Sequence, residues 1–149
     1  MGQLKPDNIG RGRSIALDTV GIVYFLEKHP IHFLPAARLF NRLEAGEIFG
    51  IMSTLVFAEL LVPAYRNDKK KLADAIQRVL SNFPNLTLLP VTVEISRSAA
   101  ELRARHNLRT PDAIHVATAL AGNADYFVTN DRQLSRLQRS GILKVLLFG

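Results

Sequence analysis

The chain has 149 residues, of which 48% are hydrophobic and 21% are charged, a composition typical of one globular domain with a single core. It contains no cysteine, which excludes disulfides, thiolate nucleophiles and cysteine-based metal sites and is consistent with a reducing cytoplasm. There are 19 basic and 13 acidic residues, and the net charge of +6 favours a polyanionic partner such as nucleic acid. No apolar stretch approaches the ~18 residues that span a membrane, so we expect a cytoplasmic protein without a membrane segment.

Short apolar strands alternate with helices along the sequence. Residues 1–13, rich in Gly, Arg, Lys and Pro, predict a flexible basic leader that precedes a single domain over residues 14–149. In chain order, we predict strands at 15–17, 48–52, 86–89, 126–128 and 142–147, with helices at 21–26, 35–46, 55–62, 72–83, 92–106, 110–122 and 131–139. Because parallel strands need crossover helices, this order predicts an α/β fold, a three-layer α/β/α sandwich with a central parallel sheet of about five strands.

Four acidic residues stand where such a fold places its ligands. Asp18 and Asp131 follow the first and fourth predicted strands, and ligands of open α/β sheets bind beyond the carboxyl ends of the strands. Asp112 lies in the first turn of a helix, and Glu59 lies in a nearly all-apolar helix, where an unpaired carboxylate is costly to bury. Each also has an ordinary explanation. Asp18 and Asp131 suit helix caps, Asp112 suits the helix dipole, and Glu59 would be satisfied by an arginine partner.

The four acids together point to a metal site. If the predicted fold is right, they approach one another at the carboxyl edge of the sheet. Two carboxylates ~4 Å apart repel by about 4 kcal/mol at an effective dielectric constant of 20, so four of them need a bound cation to stay ionised together. An all-oxygen ligand set favours Mg²⁺ or Mn²⁺ over zinc or copper, and an anionic substrate would complete the coordination shell.

Four segments of the sequence resemble the motifs of PIN domains, in particular those of the VapC-like ribonuclease toxins of type II toxin–antitoxin systems. They are ALDT at 16–19, FAEL at 57–60, TPDAIHVATAL at 110–120 and VTND at 128–131. The resemblance covers nearly the whole chain from about residue 14 onward. It implies a PIN-like nuclease domain that hydrolyses RNA phosphodiester bonds as a metal-dependent endoribonuclease.

The resemblance also implies roles for individual residues. By motif position, the catalytic and metal-binding acids are Asp18, Glu59, Asp112 and Asp131. Thr129 matches a hydroxyl residue that supports the site, and Asn130 matches a frequent polar position beside it. One or two Mg²⁺ ions, or Mn²⁺, would polarise the scissile phosphate and lower the pKa of a bound water, leaving a 5′-phosphate and a 3′-hydroxyl.

Basic residues and histidines outside the quartet have less specific interpretations. Each basic side chain alone is most simply a solvated surface charge, but some of them together are expected to contact RNA phosphates. Arg109 and Arg132, which are nearest in sequence to the predicted acids, are the first RNA-binding candidates. The four histidines lack metal-ligand spacing, and His115, three residues after Asp112, is expected to pack or to donate a hydrogen bond.

An apolar stripe marks the predicted helix over 72–83. It comprises Leu72, Ile76, Val79, Leu80 and Phe83, and its simplest interpretation is a core-facing helix surface. The resemblance adds a second use, because this region commonly contributes to homodimerisation and to docking of the cognate antitoxin in VapC-like toxins. It therefore implies two protein partners, a second copy of this chain and an antitoxin, in addition to the RNA substrate.

Three other functions are compatible with parts of the sequence. A PIN-domain nuclease of RNA processing would have the same acids, and an antitoxin reading frame directly upstream would distinguish the toxin from it. A non-catalytic RNA-binding module usually loses one or more of the acids, whereas this chain has all four. Residues 17–20 resemble the strand end of haloacid-dehalogenase-type phosphatases, but those sites need a second aspartate at the position of Val20.

Overall fold

A six-stranded, all-parallel sheet forms the centre of the computed structural model, which describes residues 2–149. The strands are β1 (Gly2–Gln3), β2 (Ser14–Leu17), β3 (Phe49–Ser53), β4 (Leu86–Leu89), β5 (Tyr126–Thr129) and β6 (Lys144–Leu147). Their spatial order is β1-β6-β5-β2-β3-β4, and every neighbouring pair is parallel. The predicted α/β class with a parallel sheet is confirmed, with one strand more than the sequence indicated.

Helices cover both faces of this sheet. They are α1 (Thr19–Leu26), α2 (Phe33–Glu44), α3 (Leu55–Leu60), α4 (Val62–Arg66), α5 (Lys70–Ser81), α6 (Val93–His106), α7 (Thr110–Ala121) and α8 (Ser135–Arg139). Buried side chains of α1, α2, α3 and α5 form one core, and those of α6, α7 and α8 form a second core. The sheet therefore lies between two helical layers. Within residues 2–149, no helix combines the length and the apolar character that crossing a membrane requires.

The direction of strand addition reverses between β2 and β5. From β2 the chain adds β3 and β4 on one side, whereas β5 and β6 lie on the other side. Leu17 at the end of β2 pairs in register with Val128 of β5, so the residues that follow both strands emerge side by side. Ligands of open α/β sheets bind at such a reversal, outside the carboxyl ends of the strands.

Several local boundaries differ from the sequence prediction, most of them by one or two residues. The helix predicted over 55–62 is divided into α3 and α4, because Pro63 has no N–H to donate to the carbonyl of Glu59. Thr110, which the sequence suggests as the helix cap, lies inside α7, whose N-cap is Arg109 without a side-chain capping bond. The last strand begins at Lys144 rather than at 142. The first of these differences places Glu59 near the end of a short helix.

Residues 2–13 are packed against the domain, in contrast to the predicted flexible leader. Leu4 and Ile9 are buried in the first core, and the Leu4 amide donates to the carbonyl of Leu147 at 2.6 Å. Arg42 of α2 donates from Nη1 to the carbonyl oxygens of Pro6 and Ile9, at 2.5 and 2.6 Å. The overall composition of this segment predicted mobility, but two apolar side chains and one buried arginine are sufficient to fix it to the sheet edge.

Substituting Ile9→Ala should therefore destabilise the protein as a core substitution does. We expect the free energy of unfolding to fall by about 2–4 kcal/mol, because a buried side chain is removed and a cavity remains. Chemical denaturation of wild type and variant measures the difference. Lys5→Ala, at an exposed position of the same segment, is the matched control, and equal stability of Ile9→Ala and Lys5→Ala would contradict the packed arrangement.

Candidate active site

Asp18 is positioned by the ends of two neighbouring strands. It follows β2 directly and is the N-cap of α1, where its Oδ1 accepts a hydrogen bond from the Val20 amide at 3.1 Å. Its Oδ2 accepts a hydrogen bond from the hydroxyl of Thr129 at 2.6 Å. Thr129, fully buried at the end of β5, also accepts a hydrogen bond from the Asp131 amide at 3.1 Å. One threonine hydroxyl therefore connects two of the predicted acidic positions.

Glu59 is held by side chains from two other helices. Its Oε1 accepts a hydrogen bond from the Thr19 hydroxyl at 2.8 Å and lies 2.5 Å from Nε2 of His115. The hydrogen bond from His115 lowers the pKa of the Glu59 carboxyl, and the bond from Thr19 acts in the same direction. Because Thr19 follows Asp18 directly, Glu59 faces the same part of the molecule as Asp18.

The sequence-based expectation that Glu59 is buried among apolar neighbours is wrong. Its side chain is 34% exposed and lies near the end of the short helix α3. Its partner is a histidine rather than the arginine considered as the structural alternative. Glu59 therefore needs no metal ion to compensate for burial, and its case as a site residue rests on its contacts with Thr19 and His115.

His115 is the residue whose part in this site the sequence indicated least clearly. Its side chain is only 3% exposed and lies on α7, three residues after Asp112 and therefore on the same side of the helix. Because a carboxylate only accepts hydrogen bonds, Nε2 of His115 donates to Glu59. Its Nδ1 is buried and has no partner within residues 2–149. A histidine within the small apolar residues of α7 was the available signal.

Asp112 brings a second carboxyl group towards Asp18. Its side chain is 19% exposed, and Oδ2 accepts a hydrogen bond from Nε of Arg109 at 3.1 Å. Because the Arg109 side chain is 81% exposed, this ion pair is screened by solvent and contributes little to stability. Arg109, predicted to contact RNA, therefore lies beside one of the acids, and its predicted contact with RNA stays a prediction.

The ionisation of Asp18 is perturbed mainly by burial. Burial raises the pKa of Asp18 to about 6, and the charge of Asp112 adds to this rise. The hydrogen bond from Thr129 and the proximity of His115 act in the opposite direction without cancelling it. A carboxyl with a raised pKa beside a second carboxyl is a place where a cation would be stabilising.

Asp131 and Asn130 make contacts of another kind. The Asp131 carboxylate accepts a hydrogen bond from the Gln133 amide at 2.9 Å and caps the short 3₁₀ helix Arg132–Leu134, which is the ordinary role considered for it. Asn130 donates from Nδ2 to the hydroxyl of Tyr24 at 2.7 Å. Arg132 donates to the carbonyl oxygen of Gly149 at 3.3 Å. The structure thus places Asp131 next to Asp18 through Thr129, while its carboxylate serves as a helix cap.

The donor set fits a divalent cation only in part. Within residues 2–149, no three Asp, Glu or His side chains are gathered closely enough to enclose a metal ion. Asp18 and Asp112 nevertheless suit Mg²⁺, which is commonly bound by one or two carboxylates together with water and substrate phosphate. The neighbourhood of these two acids and the raised pKa of Asp18 support this pair. The assignment of all four acids as metal ligands stays a prediction.

The chain belongs to the PIN domain family, whose model matches residues 15–140. The predicted family is therefore confirmed. Among curated proteins, a search by sequence finds no match.

Solved structures with the same fold include chains of toxin–antitoxin complexes. VapBC2 from Rickettsia felis bound to a promoter DNA fragment has 22% sequence identity and a TM-score of 0.64, and the match covers 89% of this chain and 96% of the other. A toxin–antitoxin complex from Klebsiella pneumoniae has 20% identity and a TM-score of 0.66, with 91% and 98% covered. DNA-bound VapBC from Salmonella typhimurium has 16% identity and a TM-score of 0.67, with 92% and 99% covered. At these identities the likeness establishes the fold.

The raised pKa of Asp18 predicts that Asp18→Asn stabilises the protein at neutral pH. A carboxyl whose pKa rises on folding, from 3.8 to about 6, lowers the free energy of unfolding as the pH increases between those values. The amide carries no charge to desolvate, so we expect the variant to be about 3 kcal/mol more stable than wild type at pH 7.

Chemical denaturation at several pH values measures this effect, and the difference should disappear towards pH 4. Asp74→Asn, at an exposed position of α5, is the control and should show no such pH-dependent gain. If Asp18→Asn is less stable than wild type at pH 7, the hydrogen bonds to the ionised carboxylate outweigh the cost of its burial.

Proposed function

We propose that this protein is a divalent-metal-dependent endoribonuclease and that it acts as the toxin of a toxin–antitoxin pair. Membership of the PIN domain family and the fold shared with chains of toxin–antitoxin complexes support this proposal. The observation that carries it is the placement of Asp18 at the reversal point of a parallel sheet, hydrogen-bonded to Thr129 and close enough to Asp112 for the two charges to interact. The net charge of +6 suits a polyanionic substrate such as RNA.

In this proposal the acids hold the cation and their neighbours orient the acids. Asp18 and Asp112 would bind Mg²⁺ or Mn²⁺, and Glu59 and Asp131 would complete the site with water and the substrate phosphate. When bound, the ion supplies Lewis-acid polarisation of the scissile phosphate and lowers the pKa of the attacking water. Cleavage by that water leaves a 5′-phosphate and a 3′-hydroxyl.

The surrounding residues restrict the movement of the acids. Thr129 donates to Asp18 and so fixes one carboxylate orientation. Thr19 and His115 both bind the same oxygen of Glu59, which leaves its second oxygen free for other ligands. Such supporting contacts commonly change metal affinity or activity by about 10–100-fold when they are removed. We propose Arg109 and Arg132 as contacts to RNA phosphates near the cut, because phosphate contacts dominate affinity for nucleic acids.

Replacing Asp112 by asparagine should abolish most of the cleavage. We expect wild type to cut structured RNA with Mg²⁺ or Mn²⁺ and not with EDTA, and Asp112→Asn to cut on the order of 100-fold more slowly, because it removes a charged ligand. Gel analysis of labelled RNA measures the rates, and the product ends should carry a 5′-phosphate.

The control for this experiment is Asp74→Asn, which should cut at the rate of wild type. Circular dichroism and thermal unfolding establish that both variants are folded. Equal cutting by Asp112→Asn and wild type would show that the assignment of Asp112 is wrong, and cleavage in EDTA would contradict the metal requirement.

An apolar groove between α1, α2 and α5 is the proposed docking surface for the antitoxin. The groove has a volume of about 240 Å³ and is lined by Ile22, Phe25, Leu26, Phe40, Leu72, Ala75, Ile76, Val79, Leu80 and Phe83. The interpretation of the stripe on α5 as core is right for Leu80, which is buried, but wrong for Leu72 and Val79, which are 48% and 57% exposed. Exposed apolar side chains in one groove are typical of a protein-binding surface.

A charge in this groove should prevent complex formation. We expect Val79→Asp to abolish copurification with the antitoxin encoded beside this chain, because the carboxylate would lose its hydration in the interface. The RNA cleavage rate of the free protein should stay unchanged, since Val79 lies on α5, which contributes none of the four acids. Asp74→Asn on the same helix is the control. An intact antitoxin complex of Val79→Asp would contradict docking in this groove.

We also propose that the protein forms a homodimer. Light scattering of the protein alone measures its oligomeric state, and so distinguishes a defect in dimer formation from a defect in antitoxin binding.

A further inference from the structure

Three partly exposed rings form a cluster beside the acids, and the proposed function assigns them no role. Tyr24 belongs to α1, and His29 and His32 belong to the connection between α1 and α2. The ring centroid of Tyr24 lies 4.7 Å from that of His29 and 4.7 Å from that of His32. The two imidazoles are stacked, with centroids 4.8 Å apart and an interplanar angle of 20°. We call these three residues the ring cluster.

The ring cluster lies at the same edge of the sheet as the candidate active site. The hydroxyl of Tyr24 accepts a hydrogen bond from Asn130 at 2.7 Å. Asn130 directly follows Thr129, whose hydroxyl binds Asp18. Tyr24 is also five residues after Thr19 in α1, which corresponds to about 7.5 Å along the helix axis. The ring cluster therefore lies next to Asp18, towards the C-terminal end of α1.

Hydrogen bonds and packing fix the rings in place. Nδ1 of His29 accepts hydrogen bonds from the amides of Ile31 and His32, at 3.2 and 3.1 Å, so that the ring cannot rotate freely. The Tyr24 ring packs edge-on against buried Phe148, with centroids 5.1 Å apart. A Cβ on Gly21 would lie 3.3 Å from the Phe148 ring, so the missing side chain permits this close approach. Rings that are already ordered lose little entropy when a ligand binds.

Two polar groups at the ring cluster have capacity for a ligand. Oδ1 of Asn130 is buried and accepts no hydrogen bond within residues 2–149, although its amide nitrogen is engaged by Tyr24. The second group is Arg132, which reaches the residue next to His32. The His32 ring packs against Gly149, whose carbonyl oxygen accepts the hydrogen bond from Arg132. The cluster thus combines ring surfaces, an unsatisfied acceptor and a nearby cation.

We propose that the ring cluster is a nucleobase-binding subsite, at which one base of single-stranded RNA next to the cut stacks on the rings while its phosphate faces Arg132. The inference rests on the proposed ribonuclease function and names a part of the substrate that the acids do not contact. Bases stack on aromatic side chains in many proteins that bind single strands, with little dependence on base identity.

The substitution His32→Ala tests the subsite with little risk to the fold. His32 is the N-cap of α2 but forms no side-chain capping bond, so alanine removes the ring alone. With an oligoribonucleotide that wild type cuts, we expect KM to rise about tenfold and kcat to stay nearly constant. His32→Phe, which retains a flat ring, should restore the wild-type KM. Phe49→Ala removes a 44% exposed ring at the amino end of β3, whereas the acids lie at the carboxyl ends of the strands, and it should change neither parameter.

Substrates with a single abasic site at each position around the cut locate the stacked base. At one position, we expect loss of the base to raise the KM of wild type about tenfold and to have almost no effect on His32→Ala, because the same contact is already missing. If every abasic site raises the KM of His32→Ala by the same factor as that of wild type, the subsite is wrong. If His32→Ala leaves KM unchanged and lowers the melting temperature, the rings serve packing only.

Failure of the proposed function gives a different result. If wild type cuts no RNA with Mg²⁺ or Mn²⁺, the ribonuclease proposal fails by itself. Binding of a fluorescently labelled single-stranded oligoribonucleotide in EDTA then decides the subsite separately. Binding weakened about tenfold by His32→Ala and unchanged by Phe49→Ala supports base stacking at the ring cluster, and equal binding by all three proteins overturns it.

Discussion

The hydrogen bond from Thr129 to Asp18 is the contact on which the arrangement of the candidate site depends. It joins the ends of β5 and β2, two strands that are 111 residues apart in the chain and adjacent at the reversal point of the sheet. The same hydroxyl accepts from the Asp131 amide, and Asp18 in turn starts α1. Because the strands are in register at Leu17 and Val128, a buried threonine at this point binds one oxygen of Asp18, while the local Val20 amide binds the other.

The site also shows a conflict between folding and the function we propose. Burial of Asp18 and the proximity of Asp112 oppose ionisation of Asp18, so that this pair of carboxyls opposes stability at neutral pH. Glu59 differs, since His115 and Thr19 favour its charged form. Carboxyl groups with shifted pKa values are typical of functional sites. A neighbouring carboxylate that disfavours a second negative charge also attracts a cation or a proton.

Much of the fold was accessible from the sequence because its signals are local. Apolar strands that alternate with amphipathic helices predicted the parallel sheet, and the motif around Asp112 predicted the family. The errors occur where a residue's environment depends on distant parts of the chain. Glu59 has apolar neighbours in sequence yet is partly exposed, and Val79 has the spacing of a core residue but lines an open groove.

The amino-acid sequence by itself determined the alternation of strands and helices for five of the six strands and the PIN domain family, because periodicity and motifs are properties of short segments. Only the tertiary structure decided that residues 2–13 add a strand to the sheet edge, that His115 supports Glu59, and that two histidines and a tyrosine assemble beside Asn130. These contacts join residues far apart in the chain, and their geometry follows from strand register and helix packing rather than from any local pattern.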